Sequence, residues 1–213
     1  MVKRQQVGQG QVAAVLITPT SGIGTNATCS QPRDEIEVLV GEGIRGDRHG
    51  GTRLSDVRES VLLAADIGRE VPIANVRQFS AIAAEDLTAI AAAMQTPQPI
   101  PPGLLGENLV IDYLPNLSRL AAGTLLTFSG IRGTKVTRRK AVLAVWGPNH
   151  PCYVPEENIE RYFTARGMDF TPAVAFGRAA RARRGVVGFV YCSGKIKSGD
   201  MVQVWQPDSL AAP

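Results

Sequence analysis

Residues 185–205 read GVVGFVYCSGKIKSGDMVQVW and contain three strand candidates separated by two turns. The outer runs, Gly185–Cys192 and Met201–Trp205, are rich in valine and aromatic residues, which favour strands. The short sequences SG and SGD between the runs carry the small and polar residues typical of turns. The stretch therefore predicts a β-meander with Lys195–Lys197 as its middle strand.

Short strand candidates of this kind recur through the rest of the chain. Two segments predict helices instead: the alanine-rich Ala83–Met94, for which Ser80 is a candidate cap, and Glu156–Arg166. Both place acidic residues in the first turn, where the helix dipole favours them. The further strand candidates are Gln11–Thr18, Glu35–Val40, Arg58–Ala65, Ala74–Ile82, Asn108–Ile111, Gly123–Phe128 and Lys135–Trp146.

Many short strands with few helices indicate a mostly-β (α+β) fold, a β-barrel with accessory helices. The 213 residues suffice for one sizeable core, so we expect a single domain over residues 11–205. The polar segment 1–10 and the end 206–213 are expected to be flexible termini.

The composition is that of a soluble protein, with 44% hydrophobic and 20% charged residues. No run approaches the roughly 20 apolar residues of a membrane helix, and the start lacks signal-peptide features, so a cytoplasmic location is expected. The net charge of +4 is compatible with an anionic ligand and does not by itself predict nucleic-acid binding. The basic clusters Arg132–Lys140 and Arg178–Arg184 are interpreted as solvated faces.

Of the three cysteines, Cys152 is the candidate reactive thiol. It lies just ahead of a predicted helix, whose N-terminal dipole favours a thiolate, and two residues after His150. The alternative is that Cys152 is a small buried apolar residue. Cys192 is predicted to be buried in an apolar strand, and Cys29 lies in a polar loop.

A glycine-dense loop, Gly41–Gly51, is the second candidate site. Glycines allow backbone N–H groups to point at an anion, and Arg45 and Arg48 supply positive charge. The alternative is a hairpin connection in which Asp47 and His49 form a structural hydrogen bond. Zinc is a further option for Asp47, His49, His150 and Cys152, but their spacing is not that of a compact metal motif.

Two polar motifs complete the candidates. Arg77 and Ser80, just before a predicted helix, have the chemistry to bind phosphate. The alternative pairs Arg77 with a carboxylate such as Glu107 and leaves Ser80 as a helix cap. Asn108 follows a glycine turn and has the groups to hydrogen-bond backbone or ligand amides.

Taken in order, these motifs resemble the MOSC domain, the family named for the C-terminal domain of molybdenum cofactor sulfurase. The resemblance extends from about Gln11 to about Val204. Its motifs are Gly46–Gly51, Arg77–Ser80, Gly106–Leu109, Pro151-Cys152, Arg184–Val186 and Gly199-Asp200. The fold it implies is a β-barrel with a few helices.

The resemblance also implies the molybdenum cofactor (molybdopterin), a pterin phosphate, as ligand. Cys152 matches the family cysteine thought to ligate molybdenum or to carry sulfur as a persulfide. The catalytic residues implied are Cys152, His150, Asp47 and His49. The cofactor-binding residues implied are Arg77, Ser80, Asn108, Gly46, Gly50 and Arg48.

Three functions remain open at this point. The first is a cofactor protein with Cys152 on the metal, since some family members reduce N-hydroxylated compounds. The second is a sulfur carrier, and the third is a basic β-barrel binding module. The chain has no aminotransferase-like, pyridoxal phosphate-dependent desulfurase domain and lacks the cysteine pattern of an iron–sulfur domain. Sulfur or electrons are therefore expected from a partner, a cysteine desulfurase or an electron-transfer protein.

Overall fold

The computed structural model of the protein describes residues 3–19, 29–54, 70–132 and 135–207. Within these ranges strands dominate, as the sequence predicts. The strands are β1 (Arg4–Ile17), β2 (Gln31–Arg33), β3 (Glu35–Leu39), β4 (Gly43–Ile44), β5 (Arg53–Leu54), β6 (Pro72–Ile73), β7 (Phe79–Ala83), β8 (Leu109–Asp112), β9 (Leu125–Arg132), β10 (Lys135–Pro148), β11 (Val186–Cys192), β12 (Gly194–Lys197) and β13 (Met201–Pro207). The helices are α1 (Ala84–Met94), the 3-10 turn Leu117–Arg119, α2 (Val154–Thr164) and α3 (Phe176–Ala179).

Strand β1 closes a seven-stranded barrel because it pairs with two different strands along its length. Its first half, Arg4–Gln11, lies antiparallel to β13, and its second half lies antiparallel to β8. From β13 the barrel continues through β9, β10, β11 and β7 to β8. The pair β7–β8 is parallel and is connected through α1, the kind of crossover that parallel neighbours need. The predicted mostly-β barrel with short helices is therefore confirmed.

The chain ends differ from the flexible termini that the sequence predicts. Residues 4–10 are not a loose arm, because their backbone groups pair with β13 and complete the barrel. Gly10 permits the close approach of β1 to its neighbour, since a Cβ there would lie 2.5 Å from the carbonyl oxygen of Asp112. At the other end, residues 206–207 belong to β13, and 208–213 lie outside the described residues. The prediction of a loose N-terminal arm was based on side-chain polarity, whereas this strand is held by hydrogen bonds of its backbone.

The apolar residues form two clusters on opposite faces of the barrel wall. In β10, alternate residues Ala141, Leu143 and Val145 belong to the cluster that fills the barrel, as the two-residue period of a strand requires. The second cluster packs the outer face of the wall against the helices. Its largest fully buried side chains include Phe163 of α2 and Phe176 of α3. Each such side chain contributes about 1.5–3 kcal/mol by leaving water.

The two predicted helices are present with shifted starts. Helix α1 begins at Ala84 and buries Leu87, Ile90 and Met94 on one face. Ser80 is not its cap, because Ser80 lies in β7 and the residue before α1 is Ala83, which makes no side-chain cap. Helix α2 begins two residues earlier than predicted, with Pro155 in its first turn, where proline is tolerated.

Three other sequence predictions need comment. The strand predicted over Ala74–Ile82 is shorter in the structure, where β7 covers Phe79–Ala83 and residues 74–78 belong to no strand. The strand predicted over Arg58–Ala65 lies outside the described residues. The hairpin of β9 and β10 is present. The strands β11, β12 and β13 also form, but the predicted meander is wrong, because β12 pairs with β3 in a separate sheet while β11 pairs with β10 and β7 and β13 pairs with β9 and β1.

Candidate functional site

A cavity of about 730 Å³ opens where several loops meet at one end of β7 and β10. Its volume lies in the range of small-molecule and cofactor sites, roughly 300–1,000 Å³. Among the residues that the structure describes, four arginines and two histidines line it, and no aspartate or glutamate does. The lining residues are Arg48, His49, Arg53, Val76, Arg77, Phe79, Ser80, Leu105, Gly106, Asn108, Trp146–Cys152, Val154, Pro155, Arg184 and Val187. The cavity is therefore electropositive and suited to an anion.

The thiol of Cys152 is exposed in this cavity, on the loop between β10 and α2. The alternative of a buried structural cysteine is therefore excluded. Helix α2 starts two residues later, at Val154, so Cys152 lies near the positive end of its dipole. His150, on the same loop, is also exposed and lines the cavity.

The other two cysteines do not share this site. Cys192 was predicted to be buried, but it is exposed, because it is the last residue of β11, where the apolar pattern ends. Cys29 is half-buried against the outer cluster, and burial raises the pKa of its thiol. Neither residue lines the cavity, so Cys152 is its single cysteine.

Asp47, in the glycine loop, is the centre of a hydrogen-bond network. Its side chain is fully buried and accepts four hydrogen bonds. Two reach Oδ2, from Thr18 N at 2.7 Å and from Asn108 Nδ2 at 2.7 Å. The other two reach Oδ1, from His49 N at 2.8 Å and His49 Nδ1 at 2.9 Å.

This network sets the charge state of Asp47. Burial by itself would raise the pKa of the carboxyl group. The hydrogen bonds from the ring and backbone of His49 and from the Thr18 N–H outweigh burial and hold the pKa below its usual value. Asp47 is therefore an ionised acceptor that fixes the position of His49.

His49 is held by both of its ring nitrogens. Because Nδ1 donates to Asp47, Nε2 is the acceptor, and the Nε–H of Arg48 donates to it over 3.3 Å. The backbone carbonyl of His49 also accepts a hydrogen bond from Asn75 Nδ2, and Asn75 Oδ1 in turn accepts from Arg77 N at 2.9 Å. Asn75 thus joins the glycine loop to the arginine motif, a link that the sequence did not predict.

Asn108 connects the glycine loop to β7 and β8. Its Oδ1 accepts from Ser80 N at 3.0 Å, and its Nδ2 donates to Asp47 and, at 3.3 Å, to Leu16 O. Asn108 is buried and its groups are engaged within the protein, so the geometry assigns it to holding the site together. Its direct contact with a cofactor stays a prediction.

Arg77 holds the loop that carries the thiol. Its Nη2 donates to Asn149 Oδ1 at 3.2 Å, and Asn149 N donates to Gly185 O at 2.9 Å. Glu107, the alternative partner for Arg77, accepts from Gly103 N at 2.6 Å and interacts electrostatically with Arg184. Full burial raises the pKa of Glu107.

Arg184 was not among the predicted site residues, although it lies in one of the motifs that carry the resemblance. It ends the basic cluster interpreted as a solvated face, yet it is only 7% exposed and lines the cavity. Its Nη2 donates to Leu105 O, while Nε and Nη1 have no hydrogen-bond partner. Burial lowers its pKa, and the charges of Glu107 and Cys152 act in the opposite direction.

The burial of Arg184 follows from the residue after it. Gly185 has φ +81°, and a Cβ there would lie 1.9 Å from the carbonyl oxygen of Ala81 in β7. Only glycine permits that approach. This turn brings the chain against β7 and directs Arg184 inward. In the sequence, the glycine that follows the run of arginines is the feature that indicates this turn.

Most of the predicted site residues meet in the cavity, while the loop residues Asp47, Gly46 and Gly50 are not among those that line it. Arg45 is not a lining residue either, because it forms a surface ion pair with Glu37 at 2.5 Å. Among the described residues, no group of three or more His, Cys, Asp or Glu side chains is arranged to hold a metal ion. The four candidate zinc ligands are therefore not brought together. In the same part of the chain, no helix is long and apolar enough to cross a membrane.

Comparison with known proteins places this geometry in context. A family model described as the MOSC domain matches residues 46–203. YuaD of Bacillus subtilis (strain 168), whose name provisionally assigns it to metal–sulfur cluster biosynthesis, is 32% identical over 182 residues, which are 84% of this chain and 84% of YuaD.

Solved structures agree on the fold. The crystal structure of YuaD from Bacillus subtilis superposes with a TM-score of 0.75 at 30% identity and covers 97% of this chain and 99% of its own. YiiM from Geobacillus stearothermophilus gives a TM-score of 0.53 at 13% identity and covers 92% of this chain and 74% of its own. The second likeness concerns the fold alone.

Proposed function

The chain belongs to the MOSC domain family, and on that premise we propose that it binds the molybdenum cofactor in the arginine-lined cavity, with Cys152 as the protein ligand of the metal. The observation that carries the proposal is the exposed Cys152 thiol in a cavity whose described lining residues include four arginines and no carboxylate. Such a cavity favours a ligand that joins a thiolate-binding metal to an anionic group.

The residues present fit this cofactor. Since no cluster of metal ligands occurs among the described residues, a metal here must bring most of its own ligands, as a pterin-bound metal does. Cys152 supplies one soft thiolate, and the guanidinium groups of Arg77 and Arg48 supply the charge that a pterin phosphate requires. When bound, the cofactor supplies two-electron redox chemistry, and the substrates we propose are N-hydroxylated compounds reduced with electrons from a partner protein.

His49 is the residue best placed to handle a proton in this reaction. It lines the cavity, its side chain is 39% exposed, and Asp47 orients its ring through Nδ1. That bond leaves Nε2 as the basic atom, where a proton can be taken up after the Arg48 contact is exchanged. Asp47 acts through His49 and is therefore a positioning residue.

A second candidate function is that of a sulfur carrier, in which Cys152 holds a persulfide received from a cysteine desulfurase. The observation that favours it is the exposed, unpaired thiol of Cys152 in a cavity wide enough for a sulfur donor. The name of YuaD, which refers to metal–sulfur cluster biosynthesis, points in the same direction. The two functions use the same sulfur atom and differ in what it binds.

The experiment that tests the proposal measures molybdenum and pterin in protein purified anaerobically from a molybdate-fed host. Wild type should contain both, Cys152→Ser should lose most of the molybdenum, and the exposed control Cys192→Ser should match wild type. Molybdenum that is equal in wild type and Cys152→Ser would contradict the assignment of Cys152. Absence of molybdenum and pterin from wild type would favour the sulfur carrier.

A further inference from the structure

Arg184 is a buried cation with unused hydrogen-bonding capacity beside the thiol. A guanidinium group has five N–H bonds, and the structure gives a partner only to Nη2, which donates to Leu105 O. Buried polar groups are nearly always satisfied, so Nε and Nη1 of Arg184 call for an acceptor. Arg184 lines the cavity, and because Nε and Nη1 are themselves buried, a ligand there becomes their acceptor when the side chain shifts toward the cavity.

The charges around Arg184 indicate that such a ligand is an anion. Glu107 is the acidic residue whose charge acts on Arg184, but the two side chains form no ion pair. Burial favours the neutral form of Glu107, so it compensates the charge of Arg184 only in part. Arg77, which lines the same cavity, adds to the positive charge near Arg184. Cys152 lines the same cavity as Arg184, and the charge of its thiolate acts to raise the pKa of Arg184.

We propose that Arg184 binds a small sulfur oxyanion of the thiosulfate class beside Cys152, and that Cys152 accepts the sulfane sulfur of this anion. The inference rests on the sulfur-carrier form of the proposed function and names the class of its donor. A nucleophilic thiol and a buried guanidinium with free N–H groups are the two parts that such a reaction needs.

The reaction balances without an added oxidant or reductant. The thiolate of Cys152 attacks the outer sulfur of thiosulfate, a bond forms between Sγ and that sulfur, and the S–S bond of thiosulfate breaks. The electron pair leaves with sulfite, so Cys–S⁻ and S–SO₃²⁻ give Cys–S–S⁻ and SO₃²⁻. Both the donor and the leaving group are dianions that meet an anionic nucleophile, and the positive charge of Arg184 offsets this repulsion.

The test uses a protein in which Cys152 is the only cysteine, with Cys29 and Cys192 replaced by serine, purified from a host grown without molybdate. Thiosulfate should add one sulfur atom to Cys152, seen by mass spectrometry, with release of sulfite. Cyanide should then remove that sulfur as thiocyanate and restore the thiol. Absence of the adduct would overturn the inference.

Arg184→Gln in the same background tests the role of the cation. The rate constant with thiosulfate should fall about 10-fold or more, the worth of a hydrogen bond to a charged group. Alkylation of Cys152 by neutral iodoacetamide should remain nearly unchanged, because it needs no anion site. The exposed neighbour Arg183→Gln is the matched control and should behave as wild type. An Arg184→Gln protein that reacts with thiosulfate as fast as wild type would overturn the inference.

Two further measurements keep the inference testable if Arg184→Gln does not fold. Arg184→Lys retains the charge but not the planar fork of N–H groups, so its thiosulfate rate should lie between those of Arg184→Gln and wild type. Inorganic phosphate should slow the thiosulfate reaction of the Arg184-containing protein competitively, and failure to do so would contradict an anion site.

A cysteine desulfurase with L-cysteine is tested in parallel as an alternative sulfur donor. Persulfide from the desulfurase but not from thiosulfate overturns this inference alone, whereas persulfide from neither also overturns the sulfur carrier.

Discussion

Asn108 donates a 2.7 Å hydrogen bond from Nδ2 to Oδ2 of Asp47 and so joins two loops whose residues are 61 positions apart. Asp47 in turn orients His49, and Asn108 also holds the backbone of Ser80. The wall of the cavity is therefore built on a buried polar network, in which each member is held by another.

Replacement of Asn108 should destabilise the protein. Asn108→Ala leaves the Ser80 N–H and one lone pair of Asp47 without their partner, so we expect a loss of about 2 kcal/mol. Urea unfolding measures this change. The matched control is Asn116→Ala, an exposed asparagine without a side-chain cap, which should change stability by less than about 0.5 kcal/mol. Equal effects of the two substitutions would contradict the assigned role of Asn108.

The stability contributed by Asp47 should depend on pH in a defined direction. Its pKa in the folded protein is lowered from 3.8, so its contribution is fully present above that value and is lost as the pH falls through the folded pKa. Asp47→Asn should cost about 3 kcal/mol at neutral pH, because the amide places a donor against the donors of Thr18 or Asn108.

The measurement is the difference in unfolding free energy between wild type and Asp47→Asn along the pH axis. The difference should shrink below about pH 4. Glu107 and Asp86, whose pKa values are raised by burial, titrate with the opposite sign in both proteins and cancel in the difference. A difference in unfolding free energy that stays constant below about pH 4 would show that the negative charge of Asp47 does not stabilise the network.

Gly185 should tolerate no side chain. In Gly185→Ala the new Cβ meets the Ala81 carbonyl oxygen at 1.9 Å, so β11 can no longer lie against β7 and we expect loss of soluble folded protein. Gly123→Ala is the control, since its φ is +84° but no atom lies within 4 Å of the added carbon. It should cost only about 1–2 kcal/mol of backbone strain. Thermal unfolding distinguishes Gly185→Ala from Gly123→Ala. Similar unfolding temperatures would show that the structure adjusts to remove the clash with Ala81.

Arg77 should matter for holding the cofactor. Arg77→Gln removes a charge from the cavity wall and weakens the contact with Asn149, so we expect cofactor retention to fall about 10-fold or more. Pterin content after gel filtration measures retention. Arg178→Gln, an exposed arginine on α3, is the control and should retain cofactor as wild type does. Equal pterin retention by Arg77→Gln and Arg178→Gln would contradict a role of Arg77 in binding the cofactor.

The barrel and most of the cavity could be predicted because they follow local rules. Valine-rich runs and glycine turns identified the strands β11 and β13, and the motifs around Asp47, Arg77 and Cys152 already carried the polar groups that line or support the cavity. These features depend on neighbours in sequence.

What could not be predicted depends on contacts between distant parts of the chain. Residues 4–10 are polar and form a strand only because β13 offers its backbone edge. Arg184 resembles its exposed neighbours in sequence, and it is buried because Gly185 turns the chain against β7. Asn75 acquires its role from a loop 26 residues earlier in the chain.

The central claim is that Cys152 binds the metal of the cofactor, and X-ray absorption at the molybdenum edge tests it most directly. Cofactor-loaded wild type and Cys192→Ser should show the same number of sulfur ligands. The small amount of molybdenum that Cys152→Ser retains should show one sulfur ligand fewer, with an oxygen or nitrogen in its place. An unchanged number of sulfur ligands in Cys152→Ser would contradict the claim.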